Sequence, residues 1–286
     1  MPQIIEKKIL APRTNYFRLA APLIAGHAQP GQFVVIRVEE GGERIPITIA
    51  DIDTGEGSIT LIIQEAGKTT ERMGLLRTGD EIRDVLGPLG MPSEVGDFGT
   101  VALLGGGFGI AAIHLLAKAL RKHKNYIISI IAARTKELLI MEDEMRRVSD
   151  ELRVKSDDGS AGTKGLVIEP LDEMLKTGRH IDRVMAVGPI PMMRAVSELT
   201  RPYGVKTIVS LNPVMVDGTG MCGGCRVEIG GDTKFACVDG PEFDAHLVNF
   251  DEFIKRNQMY KEYEKLSAET CRLATAADAL ASAQVK

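Results

Sequence analysis

The chain has 286 residues, of which 44% are apolar and 26% charged, with a net charge of −4; this length calls for two compact domains plus a smaller unit. The acidic balance leaves no basic footprint, which argues against a nucleic-acid partner. No charged leader precedes an apolar segment at the N-terminus, and no apolar run is long enough to cross a bilayer, so a cytoplasmic protein with no membrane contact is expected.

From Met1 to about Gly90 the pattern is of short β-rich runs, at residues 4–10, 16–20, 32–38, 45–51, 58–64 and 81–85. Their close spacing, broken by turn residues, predicts an antiparallel barrel. Residues 69–76 interrupt it as a helix: they follow Gly67-Lys68, carry Met73, Leu75 and Leu76, and leave free backbone N–H groups at their start. After Gly90-Met91-Pro92 the texture changes to a strand at 100–104, an apolar-periodic helix at 110–120 and a strand at 126–132, which is a βαβ unit. Segments 136–152, 154–155, 166–176, 183–187, 192–200 and 207–210 continue the alternation and predict a parallel sheet covered on both faces. Beyond Leu211 the chain is rich in glycine and cysteine to about His246, and a polar helical tail is expected from Asp251 to Lys286. The fold class is thus β plus α/β, divided as 1–97, 98–210, 211–248 and 249–286.

Three of the 4 cysteines, Cys222, Cys225 and Cys237, are crowded together, the usage of a metal site in a reducing compartment. Cys271 stands apart in the tail as an ordinary thiol. The run from Asp217 to Cys225 places a potential ligand, four residues, Cys, two residues and Cys in order, with Cys237 as a distal fourth; this is the plant-type 2Fe-2S spacing with Asp217 in the first slot. Glycines at 218, 220, 223 and 224 suit a loop whose backbone N–H groups must turn towards sulfide. The competing reading is a structural zinc knuckle with Asp217 or His246 as fourth ligand. His27, His114, His123, His180 and His246 show no ligand spacing and read as structural or solvated.

Gly105, Gly106, Gly107 and Gly109 lie where a strand ends and a helix begins, where glycines permit close approach of a pyrophosphate to helix N–H groups. The order is not G-x-G-x-x-G, and an ordinary glycine-rich turn is the alternative. A second turn, Gly188-Pro189-Ile190-Pro191-Met192-Met193, again opens a helix after a strand, at the sheet edge where ligands of open sheets bind; on the residues alone, proline in a first helical turn with methionine in the core is the favoured reading. Arg134 and Lys136 could meet a 2′-phosphate and Glu137 a 2′-hydroxyl, which leaves NADH and NADPH both open.

Taken in order, these motifs resemble the ferredoxin-NADP reductase superfamily, in the branch with a C-terminal 2Fe-2S loop. That branch includes the electron-transfer subunit of dihydroorotate dehydrogenase and the small subunit of NADH-dependent reduced ferredoxin:NADP oxidoreductase. The resemblance covers residues 1–246. It implies an FAD-binding barrel, an NAD(P)-binding α/β domain, a cluster domain and a helical tail. It also implies Arg44, Pro46, Ile47 and Thr48 at the flavin, and Gly67, Lys68, Thr69 and Thr70 at its pyrophosphate. Gly105, Gly106, Gly107, Gly109, Arg134, Gly188 and Pro189 fall to NAD(H), and Asp217, Cys222, Cys225 and Cys237 to the cluster. The family's Arg-x-Tyr-Ser/Thr signature is replaced by Arg44-Ile45-Pro46-Ile47-Thr48, without the aromatic. Aspartate at 217, where the dihydroorotate branch has cysteine, favours the ferredoxin:NADP oxidoreductase small subunit.

The activity so implied is hydride exchange between NAD(H) and FAD, with single electrons passing through the cluster to a partner in a heterodimer. The partner would be a larger flavin and iron-sulfur subunit that serves ferredoxin, and electron bifurcation is a further implication. The alternatives are the dihydroorotate dehydrogenase subunit and a non-redox, zinc-stabilised nucleotide-binding module.

Overall fold

The computed structural model describes residues 1–267, 269 and 270. Strands β1 (Ile4–Ala11) and β2 (Thr14–Ala20) lead through a short helix α1 (Pro22–Ala25) to β3 (Phe33–Arg37), β4 (Arg44–Asp53) and β5 (Ser58–Gln64), then to helix α2 (Lys68–Leu75) and β6 (Asp84–Leu89). They pair antiparallel in the order β1-β2-β5-β4-β3-β6, and a bridge from Gln3 to Glu81 joins the two edges into the expected barrel. Closure removes the exposed edges that an open sheet would present. Phe17, Leu19, Val34, Ile36, Ile49, Ile59, Leu61, Ile63 and Met73 fill its interior.

The second half comprises β7 (Thr100–Gly106), α3 (Gly109–Lys122), β8 (Tyr126–Ala133), α4 (Glu142–Val148), β9 (Glu151–Ser156), β10 (Thr163–Lys164), α5 (Glu169–Lys176), β11 (Arg183–Val187), α6 (Ile190–Thr200) and β12 (Lys206–Ser210). After them come a hairpin, β13 (Arg226–Ile229) and β14 (Asp232–Phe235), a strand β15 (Glu242–Asp244), and helix α7 (Phe250–Gln258). The sheet order is β10-β9-β8-β7-β11-β12-β15, with every pair parallel except β12 and β15. The chain therefore re-enters this sheet after the cysteine-bearing loop, adding an antiparallel edge to the expected parallel order.

Residues 136–152 are not one helix. Met141 takes a left-handed φ of 55°, α4 spans only Glu142–Val148, and Glu151 already pairs with Ile128 of β8. The strand expected at 81–85 sits later, at Asp84–Leu89, and the glycine-rich segment contains the β13-β14 hairpin turning at Gly230-Gly231.

Helix α3 joins the two halves. Its Leu115 belongs to the barrel core, Lys118 Nζ lies 2.5 Å from Asp51 Oδ1, and buried His114 places Nδ1 3.4 Å from the carbonyl of Ala50. Burial holds the His114 ring below its usual pKa. In the tail, α7 buries Phe250 and Phe253 in its own domain, whereas Tyr260, Tyr263 and Leu266 are exposed; the rest of the tail expected to reach Lys286, with Cys271, lies outside the described residues. Among the described residues no helix is long and apolar enough to cross a membrane.

Candidate functional site

A cleft of about 1130 Å³ opens between the barrel and the carboxyl edge of the seven-stranded sheet. Pro46 and Thr48 enter it from β4, Gly106, Gly107 and Gly109 from the turn after β7, Arg134 from the end of β8, and Gly188 and Pro189 from the turn after β11. The two turns are built against each other. A Cβ on Gly109 would lie 1.8 Å from the carbonyl oxygen of Val187, and one on Gly106 would lie 2.6 Å from Met192 Sδ. Gly107 differs: it has a φ of 56°, a Cβ there would meet nothing within 4 Å, and open space is left at the start of α3. Gly105 is buried beneath, packed on Ile110, and does not line the cleft.

One part of the cleft is lined by both a cation and a carboxylate. Arg134 and Asp157 follow the adjacent strands β8 and β9, and both line the cleft, while Lys136 and Glu137 do not. The backbone N–H of Lys136 instead donates to Ser160 Oγ at 2.8 Å, and Thr135 holds the Glu137 carboxyl below its usual pKa. Asp157, Gln64 and Ala66 escape sequence reasoning because nothing local marks them; only the sheet order brings them to the cleft.

On the barrel side, Arg44 is exposed opposite Arg37, and Ile47 pairs with Val34; neither lines the cleft. Gly67 is the N-cap of α2, with open space around its Cα. The Thr70 hydroxyl accepts from the N–H groups of Ala66 and Gly67 at 2.9 and 3.0 Å, and Thr69 Oγ1 donates to Glu43 at 2.9 Å. These two threonines thus shape the turn, leaving Gly67 and Lys68 at the open start of the helix.

The cysteine loop rests on the barrel. A Cβ on Gly218 would come within 2.9 Å of both Val35 of β3 and Leu89 of β6, and Val35 is itself paired with Pro46. Cys225 and Cys237 are buried with their sulfurs 3.2 Å apart, and Cys222 is exposed with its sulfur accepting from the Gly224 N–H at 3.4 Å. None of the three is in a disulfide; burial and the neighbouring Cys225 push the Cys237 thiol up to about 12. Asp217 accepts from the N–H groups of Thr219 and Cys222 at 2.9 and 2.7 Å, which lowers its pKa and keeps it ionised. A carboxylate has about four acceptor positions, so roughly two remain. Among the described residues no three such side chains already converge as a preformed ion cage. His246 is turned away, with Nε2 3.0 Å from Thr200 Oγ1, so the candidate ligands are the Asp217 carboxylate and the three thiols without it. Soft thiolates on glycine turns with φ of 74°, 84° and 66° at Gly218, Gly220 and Gly223 fit an iron-sulfur cluster.

Residues 212–249 match the family described as the iron-sulfur cluster binding domain of dihydroorotate dehydrogenase B. A Thermotoga maritima protein named as a homolog of the dihydroorotate dehydrogenase B (NAD(+)) electron transfer subunit is 49% identical over 93% of this chain and 94% of its own length. The chain belongs to the dihydroorotate dehydrogenase B electron-transfer subunit family. A Bacillus caldolyticus member of this family, named as the subunit itself, is 34% identical over 86% of this chain and 96% of its own length. Among solved structures, one of the NADH-dependent reduced ferredoxin-NADP oxidoreductase, described in terms of flavin-based electron bifurcation, superposes with a TM-score of 0.89 at 48% identity. It covers 94% of this family member and 97% of its own chain. Phthalate dioxygenase reductase, at 17% identity and a TM-score of 0.55, shares the fold alone.

Proposed function

We propose that the chain is a cytoplasmic electron-transfer subunit that exchanges hydride between NAD(H) and FAD and passes electrons singly through a 2Fe-2S cluster to a larger flavin and iron-sulfur subunit. One observation carries the reading: the β4 segment and both glycine turns face each other across one cleft, and the thiol loop rests on β3, the strand next to β4. Bound FAD and the cluster supply the conversion between a two-electron hydride donor and one-electron acceptors.

The chain's own residues bind and orient. The open space at Gly107 and the positive end of α3 receive a pyrophosphate, and Arg134 and Asp157 meet the adenosine ribose. Pro46 and Thr48 face the flavin ring position, and Gly67 and Lys68 take its pyrophosphate. Asp217, Cys222, Cys225 and Cys237 hold the cluster, with the carboxylate as the harder donor. No general acid, base or nucleophile is required of the protein. Similarity to the ferredoxin-NADP oxidoreductase structure, together with aspartate at 217, favours that partner and bifurcation with ferredoxin. The match of residues 212–249 keeps dihydroorotate oxidation as the second reading.

Anaerobically purified protein should be brown, contain iron, acid-labile sulfide and FAD, and bleach with NADH or NADPH. Colourless, zinc-loaded protein indifferent to both would overturn the redox reading. Orotate formation by the co-purified complex would select the second.

A further inference from the structure

We infer that Arg256 of α7 is a positioning residue whose charge biases the iron-sulfur loop towards the reduced cluster; the inference rests on the cluster reading above. Helix α7 lies across the loop and bonds both of its limbs. Asn257 Nδ2 donates to the carbonyl of Asn212 at 3.3 Å, where the loop starts, and Arg256 Nη2 donates to the carbonyl of Gly224 at 3.4 Å, between Cys222 and Cys225.

The helix cannot slide in this seat. Phe250 and Phe253 are buried in the same apolar cluster as Cys225 and Cys237. At the N-terminal end Asn249 caps α7, accepting from the Glu252 N–H at 3.1 Å while its own N–H donates to the carbonyl of Glu228 at 3.0 Å. Arg194 Nη1, 2.8 Å from Asp251 Oδ1, ties the same turn to α6.

Arg256 is held by a single long ion pair on its own helix. Its side chain is only 24% exposed, its Nε lies 3.6 Å from Glu252 Oε1, and Glu252 Oε2 is buried without a hydrogen-bond partner. The guanidinium is therefore aimed at the loop carbonyl rather than clamped bidentately on the carboxylate. There it polarises the Gly224–Cys225 peptide and sets a positive charge beside the turn that links two thiolate positions. A cluster gains one negative charge on reduction, and net charge around it is one of the protein's levers on potential. Arg256 favours the reduced form, whereas the Asp217 carboxylate and Glu252 oppose it.

The test is an EPR-monitored potentiometric titration of the anaerobically purified full chain, after its iron and acid-labile sulfide have been counted. Arg256→Met, which keeps bulk and removes charge, should shift the equilibrium about tenfold towards oxidised cluster, a fall of about 59 mV for a one-electron couple. Arg256→Lys should stay within about twofold of wild type. Glu252→Gln should move the midpoint in the opposite direction, upwards by about threefold in the same equilibrium. It retains the arginine and so remains informative if Arg256→Met fails to load iron. A purely mechanical role for the pair cannot give shifts of opposite sign. Loaded variants whose midpoints coincide with wild type would overturn the assignment of Arg256; wild-type protein without iron and sulfide would instead overturn the cluster reading.

Discussion

Replacing Glu242 by Gln will flatten the pH dependence of stability. Glu242 begins β15 and is wedged against the barrel: Ser93 Oγ donates to its Oε1 at 2.5 Å, and a Cβ on Gly31 would lie 2.7 Å from the same oxygen. Burial pushes its carboxyl pKa up from 4.5 to about 7, against smaller opposing effects of Ser93 and Arg183. Arg183 gives little relief because its guanidinium is committed to Glu94 at 3.0 Å and to the Phe98 ring at 3.6 Å. Lys206 also turns to Glu94, at 3.2 Å. The folded protein thus keeps a proton that the unfolded chain releases above pH 4.5, so this contribution is full below 4.5 and is lost as pH rises to about 7. A displacement of about 2.5 units at about 1.4 kcal/mol each sets a ceiling near 3 kcal/mol, which water at the half-buried carboxyl reduces to about 2. Urea unfolding of wild type and Glu242→Gln at matched pH should give nearly equal stabilities at pH 4. By pH 8 the glutamine variant should lead by about 2 kcal/mol. Parallel curves over that range would refute the reasoning.

Phe253→Ala empties a site that is 1% exposed and should cost about 3–5 kcal/mol in denaturant unfolding, with α7 losing its hydrogen-exchange protection. Gly109→Ala drives a methyl group into the Val187 carbonyl; it should weaken NADH binding by tenfold or more in titration while FAD content is unchanged. Asp217→Cys should retain the cluster but move its midpoint, and identical EPR titrations would count against ligation by Asp217. His114→Leu, which removes a buried ring held below its usual pKa, should reduce the loss of stability as pH falls from 7 to 5, read by urea unfolding.

Much of this organisation is legible in the sequence because it repeats locally. Five of the six barrel runs and β11 fall at their expected places, since strand patterning and turn residues are short-range signals. The glycine turn after β7 and the cysteine spacing are equally local. The stretch from Lys136 misleads because α4 has one buried residue, Met145, and the charged strand Glu151–Ser156 takes its conformation from pairing with β8 rather than from its own pattern. Strand β15 is three residues long, too short to carry a pattern, and exists because β12 offers an edge. Asp157, Glu242 and Arg256 act through neighbours far away in sequence, so no spacing rule could draw them together.

The neck of the cysteine loop gives it an unusual independence. Its two ends leave and return side by side: the N–H of Leu211 donates to the carbonyl of Pro241 at 2.9 Å, directly beside the Ser210–Glu242 pair. An excursion pinched in this way is a cassette, which can lengthen, shorten or exchange its ligands without altering the spacing of the strands on either side. The proposed set of one aspartate with three cysteines is the kind of variation such a design tolerates, because the strands at the neck keep their pairing whatever the loop carries.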